Sequence, residues 1–116
     1  MMRGDVFFVD LDPAIGSEAA QRRPCLIVSN DANNRAASTV TVLPITSNTS
    51  RLYPFDVLLD AELRRPSKVQ ANQIRTISKE RLVGPPVTRL SDAVMGLVDD
   101  ALRLHLGLGY AASRRS

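Results

Sequence analysis

The sequence predicts a mainly β domain, a small curled antiparallel sheet or barrel with flanking helices. Three observations carry this. A chain of 116 residues has room for one core. Its first half holds four short segments rich in β-branched or aromatic residues, bounded by Pro, Gly, Asn or Ser. Only one stretch, after Ser91, sustains helical periodicity over several turns.

The first strand runs from Asp5 to Leu11, with Phe7, Val9 and Leu11 on one pleat face and Phe8 and Asp10 on the other. Strands follow at Cys25 to Asn30, Thr39 to Ile45 and Phe55 to Leu59, and a fifth spans Lys68 to Ile77, with Gln70 to Gln73 as a polar, bulged stretch. Asn30 or Asp31 caps a short helix through Asn33 to Ala37, and Ser78 caps another turn at Lys79 to Leu82. The long helix has Ser91 as N-cap, Asp92 in its positive first turn and Gly107 just past its end. Val94, Leu97, Val98, Ala101, Leu104, His105 and Leu108 share one side of it, widened by Leu102 and Leu106. That arc is broader than one small sheet needs, so part of it is expected to meet a second copy of the chain. Residues 1–108 form a single domain in this reading, and 109–116 a flexible tail.

Composition excludes several function classes. No apolar run approaches the roughly 20 residues that span a bilayer. Asp5 interrupts the position where a signal peptide is apolar, so the chain is expected to be cytoplasmic. A lone cysteine, Cys25, supplies neither an internal disulfide nor by itself a zinc site, and in an apolar strand it reads as an inert buried thiol. His105 is the only histidine, which excludes a two-histidine nuclease within one chain; on the apolar stripe it reads as a packing or interface residue. Asp10 and Asp12 share a strand face and form the one pair from which a metal-dependent alternative could be built, but Asp12-Pro13 is also an ordinary strand-ending turn, and no metal or cofactor is expected. Phosphate loops, zinc-protease motifs and serine elbows are absent.

Charge points the other way. Residues 22–89 carry eleven basic against five acidic side chains, whereas residues 1–21 are net acidic, so the cations concentrate in the middle of the chain, as a polyanionic partner such as nucleic acid requires. Three polar clusters stand beside strand ends: Gly16-Ser17-Glu18-Ala19-Ala20-Gln21-Arg22-Arg23-Pro24, Pro44-Ile45-Thr46-Ser47-Asn48, and Gln70-Ala71-Asn72-Gln73-Ile74-Arg75-Thr76-Ile77.

These clusters, in this order with Gly4-Asp5-Val6, Asp10-Leu11-Asp12-Pro13, Val28-Ser29-Asn30 and Tyr53-Pro54-Phe55, resemble the MazF/PemK toxins of bacterial toxin–antitoxin pairs over roughly residues 4 to 108. The resemblance implies an SH3-like barrel with a C-terminal helix, assembled as a homodimer. The implied activity is metal-independent, sequence-specific cleavage of single-stranded mRNA, leaving 2′,3′-cyclic phosphate and 5′-hydroxyl ends. The implied protein partner is a MazE-like antitoxin. Arg23 falls at the family's catalytic arginine and Thr46 at its hydroxyl donor, while Glu18, the only carboxylate of the arginine loop, is the general-base candidate. Ser17, Gln21, Arg22, Ser47, Asn72, Gln73 and Arg75 are the expected RNA-binding residues.

The sequence departs from its relatives at two places. Ala19-Ala20-Gln21-Arg22 stands where glycines often precede the arginine, and Asn72 stands where a carboxylate is common. An amide donates as well as accepts, so base recognition at that edge is expected to differ. Two other readings use the same fold. The gyrase-binding toxin CcdB acts through a tryptophan near its C-terminus, and this chain has none. A non-catalytic RNA-binding module has no need of the Arg23 and Thr46 pair.

Overall fold

The computed structural model describes residues 1–12 and 21–109. Among these, seven strands and two α-helices follow one another as β1 (Asp5–Asp12), β2 (Gln21–Ile27), α1 (Asp31–Ala36), β3 (Thr39–Thr46), β4 (Asp56–Leu59), β5 (Ser67–Gln70), β6 (Arg75–Ser78), β7 (Leu82–Arg89) and α2 (Asp92–Leu106). All pairings are antiparallel, and the sheet runs β4-β5-β3-β2-β1-β7 with β6 also on β3. No pairing among the described residues joins β4 to β7, so the expected barrel is a curled sheet left open between its edge strands.

β3 is the hinge of the sheet. Its start pairs β6, with Val42 opposite Arg75, and its end pairs β5, with Ile45 opposite Val69. The register slips by three residues between the two, the length of the 3-10 turn Ala71–Gln73 that separates β5 from β6. The single strand expected over Lys68 to Ile77 is therefore two, broken at the stretch that reads as polar and bulged. β7 corrects the sequence reading, which had no strand there; the segment carries Gly84-Pro85-Pro86. Proline cannot donate to a ladder but is tolerated at an edge or a bulge. β7 is an edge strand: Leu82 and Val83 pair Val9 and Phe8, Thr88 and Arg89 pair Val6 and Asp5, and the segment between bulges out at Gly84, whose φ is +70°. The turn expected over Lys79 to Leu82 is a 3-10 turn at Lys79–Arg81, capped by Ser78.

Strand alternation divides the interior in two. Val6, Leu26, Leu43 and Ile45 point toward α2 and form one cluster with its Met95, Val98 and Ala101. Phe7, Val9, Leu11, Cys25, Ile27, Val40 and Val42 fill the other, as the pleat assignment of Phe7, Val9 and Leu11 requires. Gly4 positions the entry to β1. With φ at +99° it donates to the Ile27 carbonyl and accepts from Leu90, a conformation that disfavours any side chain.

Both helix caps expected from sequence form. Asn30 accepts from the Asn33 N–H at 2.8 Å, Ser91 from the Val94 N–H at 3.2 Å, and Gly107 adopts the left-handed conformation at φ +70°. The wide apolar arc of α2 splits. Val98 and Ala101 are buried with Met95, which the expected stripe omitted, whereas Leu97, Leu104, Leu106 and Leu108 are each about half exposed. Beside them the segment before β4 is pinned by buried Lys68, whose Nζ donates to the Arg51 carbonyl at 2.6 Å and to Asp56 at 3.0 Å. Phe55 stacks on Tyr53 and meets the exposed ring of His105 at 6.3 Å between centroids. No helix among the described residues is long and apolar enough to cross a membrane.

Candidate active site

A groove of about 850 Å³ opens where the ends of β2 and β3 face the segment between β4 and β5. Arg23, Thr46 and Ser47 line it together with Phe8, Pro24, Glu62, Arg64 and Arg65. Arg23 reaches it by strand geometry. β2 begins four residues earlier than expected, so Arg22 and Arg23 are strand residues rather than loop residues, opposite Asp10 and Val9 respectively. Successive side chains leave opposite faces of a strand, which separates the two arginines.

β2 and β3 pair through Cys25 and Pro44, and continuing that register by two residues brings Arg23 opposite Thr46. The Thr46 Oγ1 accepts from the Asn48 N–H at 3.2 Å. A hydroxyl that already accepts from the backbone is held in one rotamer and keeps its own proton free to donate.

The groove gathers three arginines and one carboxylate, Glu62. Among the described residues, Arg23, Arg64 and Arg65 have no side-chain hydrogen bond or ion pair, although each guanidinium has five donors to satisfy. Several arginines elsewhere are occupied. Arg3 pairs with Asp99 at 2.6 Å, Arg89 with Asp5 at 3.0 Å, and Arg22 with Asp10 at 2.9 Å. The Arg22 hydrogen bond, followed by the charges of Arg22 and Arg81, holds the Asp10 carboxyl below its ordinary range against the cost of desolvation. Asp10 is thereby committed to a cation, and no group of three His, Cys, Asp or Glu side chains that could hold a metal occurs among the described residues.

The remaining expected residues distribute unevenly. Arg75 lies on β6 and donates to the Leu11 carbonyl at 3.2 Å, and Arg81, not singled out in sequence, donates to the Asp10 and Leu11 carbonyls at 3.0 and 2.8 Å. Together they clamp the end of β1. Asn72 and Gln73 sit in the 3-10 turn after β5 and do not line the groove. Gln21 opens β2, while Ser17 and Glu18 lie outside the described residues, as do residues 110–116 of the expected tail. Cys25 is fully buried, and burial pushes its thiol up to about 12 despite the opposing charges of Arg75 and Arg23. It is the inert thiol that its strand position suggested. Phe8, Glu62, Arg64 and Arg65 were missed; the double cation Arg64-Arg65 before Pro66 was the one signal available.

Unpaired cations and a proton-donating hydroxyl converging in a groove of a small curled sheet define a surface for phosphate-bearing ligands. Residues 2–106 match the model of the PemK-like, MazF-like toxin of type II toxin-antitoxin system, and the chain belongs to that family. It is 48% identical to Endoribonuclease MazF9 of Mycobacterium tuberculosis, over 93% of this chain and 98% of that one, and 42% identical to Endoribonuclease EndoA of Bacillus subtilis, over 91% and 94%. Among solved structures, it is similar to an endoribonuclease in complex with its cognate antitoxin from Mycobacterial species (TM-score 0.79, 31% identity, 95% of this chain and 98% of that one). It is also similar to MazE-MazF from Deinococcus radiodurans (TM-score 0.81, 27% identity, 94% and 97%).

Proposed function

We propose that this chain, a MazF-like endoribonuclease toxin, cuts single-stranded mRNA at specific sequences without a metal, by attack of the ribose 2′-hydroxyl on the adjacent phosphate. The observation that supports the reading is that Arg23, without a side-chain partner among the described residues, and Thr46, whose hydroxyl accepts from the Asn48 N–H, line the same groove. The reaction needs removal of the 2′-hydroxyl proton, stabilisation of the charge that accumulates on the phosphorane, and protonation of the departing 5′-oxygen. Arg23 grips the non-bridging oxygens with two hydrogen bonds. It remains cationic throughout, because a guanidinium with a pKa above about 12 does not give up its proton at neutral pH. Thr46 donates to the same oxygens. Glu18 takes the 2′ proton, and the 5′-oxygen acquires one from solvent. The products are a 2′,3′-cyclic phosphate and a 5′-hydroxyl.

The same reading assigns the partners. A MazE-like antitoxin inhibits the toxin, the working form is a homodimer whose interface includes the exposed leucines of α2, and the protein acts in the cytoplasm, where its mRNA substrate is. Incubating the purified protein with a long RNA in excess EDTA and mapping both new termini tests the activity. Cutting that persists, with 5′-hydroxyl ends, is expected; a requirement for magnesium, or 5′-phosphate ends, contradicts the mechanism.

A further inference from the structure

Lys68 and Asp56 form an ion pair in the interior, with side chains only 9% and 1% exposed. A lysine is almost never this buried unless it is paired. An apolar pair of similar volume would stabilise the fold as well or better, so stability alone does not account for buried charges. Their contacts show what they hold. The Lys68 Nζ donates to the Arg51 carbonyl at 2.6 Å and to Asp56 Oδ2 at 3.0 Å, and lies 5.6 Å from the centroid of the Tyr53 ring. The same Asp56 oxygen accepts from the Tyr53 N–H at 2.9 Å, and the Tyr53 carbonyl accepts from the Asp56 N–H at 2.9 Å. One ammonium and one carboxylate therefore fix the last part of the connection between β3 and β4.

The first part is fixed from the other end. Thr46 Oγ1 accepts from the Asn48 N–H at 3.2 Å, and Asn48 Oδ1 accepts from the Ser50 N–H at 3.2 Å and from the Ser50 hydroxyl at 2.8 Å. The two sets meet at the neighbouring residues Ser50 and Arg51. Lys68 also stands opposite Thr46 in the register of β3 with β5. The contacts thus leave Thr46, follow the connection and return to the residue across the ladder from it. Thr46 lines the groove, whereas Lys68 and Asp56 lie outside its lining.

We infer that Lys68, through Asp56 and the connection they clamp, is a positioning residue for the Thr46 hydroxyl. This rests on the ribonuclease reading of the groove and adds to it a residue that does not touch RNA. The Thr46 hydroxyl is held only while the Asn48 N–H stays in place to donate. A surface connection is otherwise among the more mobile parts of a fold. Anchoring Arg51 and Tyr53 to a buried pair transfers the rigidity of the sheet to that N–H.

The test is a cycle of substitutions read by single-turnover cleavage at saturating RNA, with affinity measured separately on RNA made uncleavable by 2′-O-methylation. Lys68→Met keeps the length of the side chain and removes its donors. It should slow the chemical step by about tenfold or more, on the scale by which a misplaced group costs rate, and leave affinity nearly unchanged. In a Thr46→Val background the same substitution should slow cleavage no further, because the hydroxyl through which it acts is gone. A purely structural role predicts the same factor in both backgrounds. Should Lys68→Met fail to fold, Lys68→Met with Asp56→Asn leaves no buried charge unpaired and replaces it. Asn48→Ala cuts the chain of contacts at an exposed position and should give the same non-additive loss, so it decides the matter should neither Lys68 variant fold. The inference is overturned by a wild-type rate in the folded Lys68 variant, in Asn48→Ala or in Thr46→Val, by losses that multiply in the Thr46→Val background, or by a loss of affinity as large as the loss of rate. Wild-type protein that cuts no RNA defeats the underlying ribonuclease reading instead, so the two failures are separable.

Discussion

The groove beside Arg23 and the outer face of α2 are both open to solvent, and they are built from opposite materials. The groove presents three guanidinium groups without side-chain partners among the described residues, against one carboxylate, Glu62. The helix face presents Leu97 and Leu104 over a hollow of about 460 Å³ shared with Pro54, Val57 and Leu58, with Asp56 and Asp100 as its only charged lining. Unpaired cations gain most from a polyanion, whereas exposed leucines gain from burial against another apolar surface, about 25 cal/mol per Å². On that difference we propose RNA for the first surface and protein for the second. It also shows that exposure alone says little about a partner until the pairing state of the charges is known.

Substitutions that cross the comparison should sharpen it. The largest effect is expected from Arg23→Ala, which should slow single-turnover cleavage by about a hundredfold or more, the cost of losing one preorganised donor to the developing charge. Arg23→Lys should recover only part of the rate, because an ammonium lacks the two-pronged contact. Light scattering should show an intact assembly in both. A reversed result, normal cutting but lost assembly, breaks the assignment of the two surfaces.

Next in size is Leu104→Glu on the helix face. Each symmetric interface buries the position twice, so the dimer should dissociate at micromolar concentration while a folded monomer retains its melting transition. A wild-type protein that scatters as a monomer removes the premise. Smaller still is Arg22→Ala. Arg22 is held by Asp10 on the face of β2 away from Arg23, so RNA binding should weaken by only a few-fold, with a slope in salt reduced by at most about one, and the chemical step should be spared. Equal loss of chemical rate in Arg22→Ala and Arg23→Ala contradicts the division of roles.

The smallest effect concerns Cys25. Its thiol is pushed up to about 12 by burial, so almost no thiolate exists near neutral pH. Iodoacetamide at pH 7.5, about the physiological range, should leave the folded protein unmodified and active; rapid alkylation by mass spectrometry would contradict the buried assignment.

How much of this was legible in sequence depended on whether a feature is local. The caps at Asn30, Ser91 and Gly107 are set by residues a few positions apart, and each forms as read. The alternation of Phe7, Val9 and Leu11 against Phe8 is equally local. β7 was hidden because Pro85 and Pro86 are breakers everywhere except at an edge or a bulge, and edge status is a property of the whole sheet. The start of β2 was misplaced for a related reason: Gln21 to Arg23 have no apolar pattern of their own and become strand by pairing with β1. At the candidate site, Arg23 and Thr46 were singled out through motif order, and both line the groove. Arg64 and Arg65 were not, since nothing local says that the segment after β4 folds back over the end of β3. Asn72 and Gln73 belong to a recognisable cluster and sit in the 3-10 turn after β5, outside the groove's lining.

The central claim is that the groove makes RNA cut itself through its own 2′-hydroxyl, with Arg23 and Thr46 holding the phosphate. Its most direct test is single-turnover cleavage, in EDTA, of an RNA carrying one 2′-deoxynucleotide immediately 5′ of the mapped scissile phosphate. The predicted result is that this bond stays intact while affinity for the oligonucleotide changes little. Cleavage of that bond at the rate of the all-ribose substrate would contradict the account, because the attacking oxygen would then have come from water.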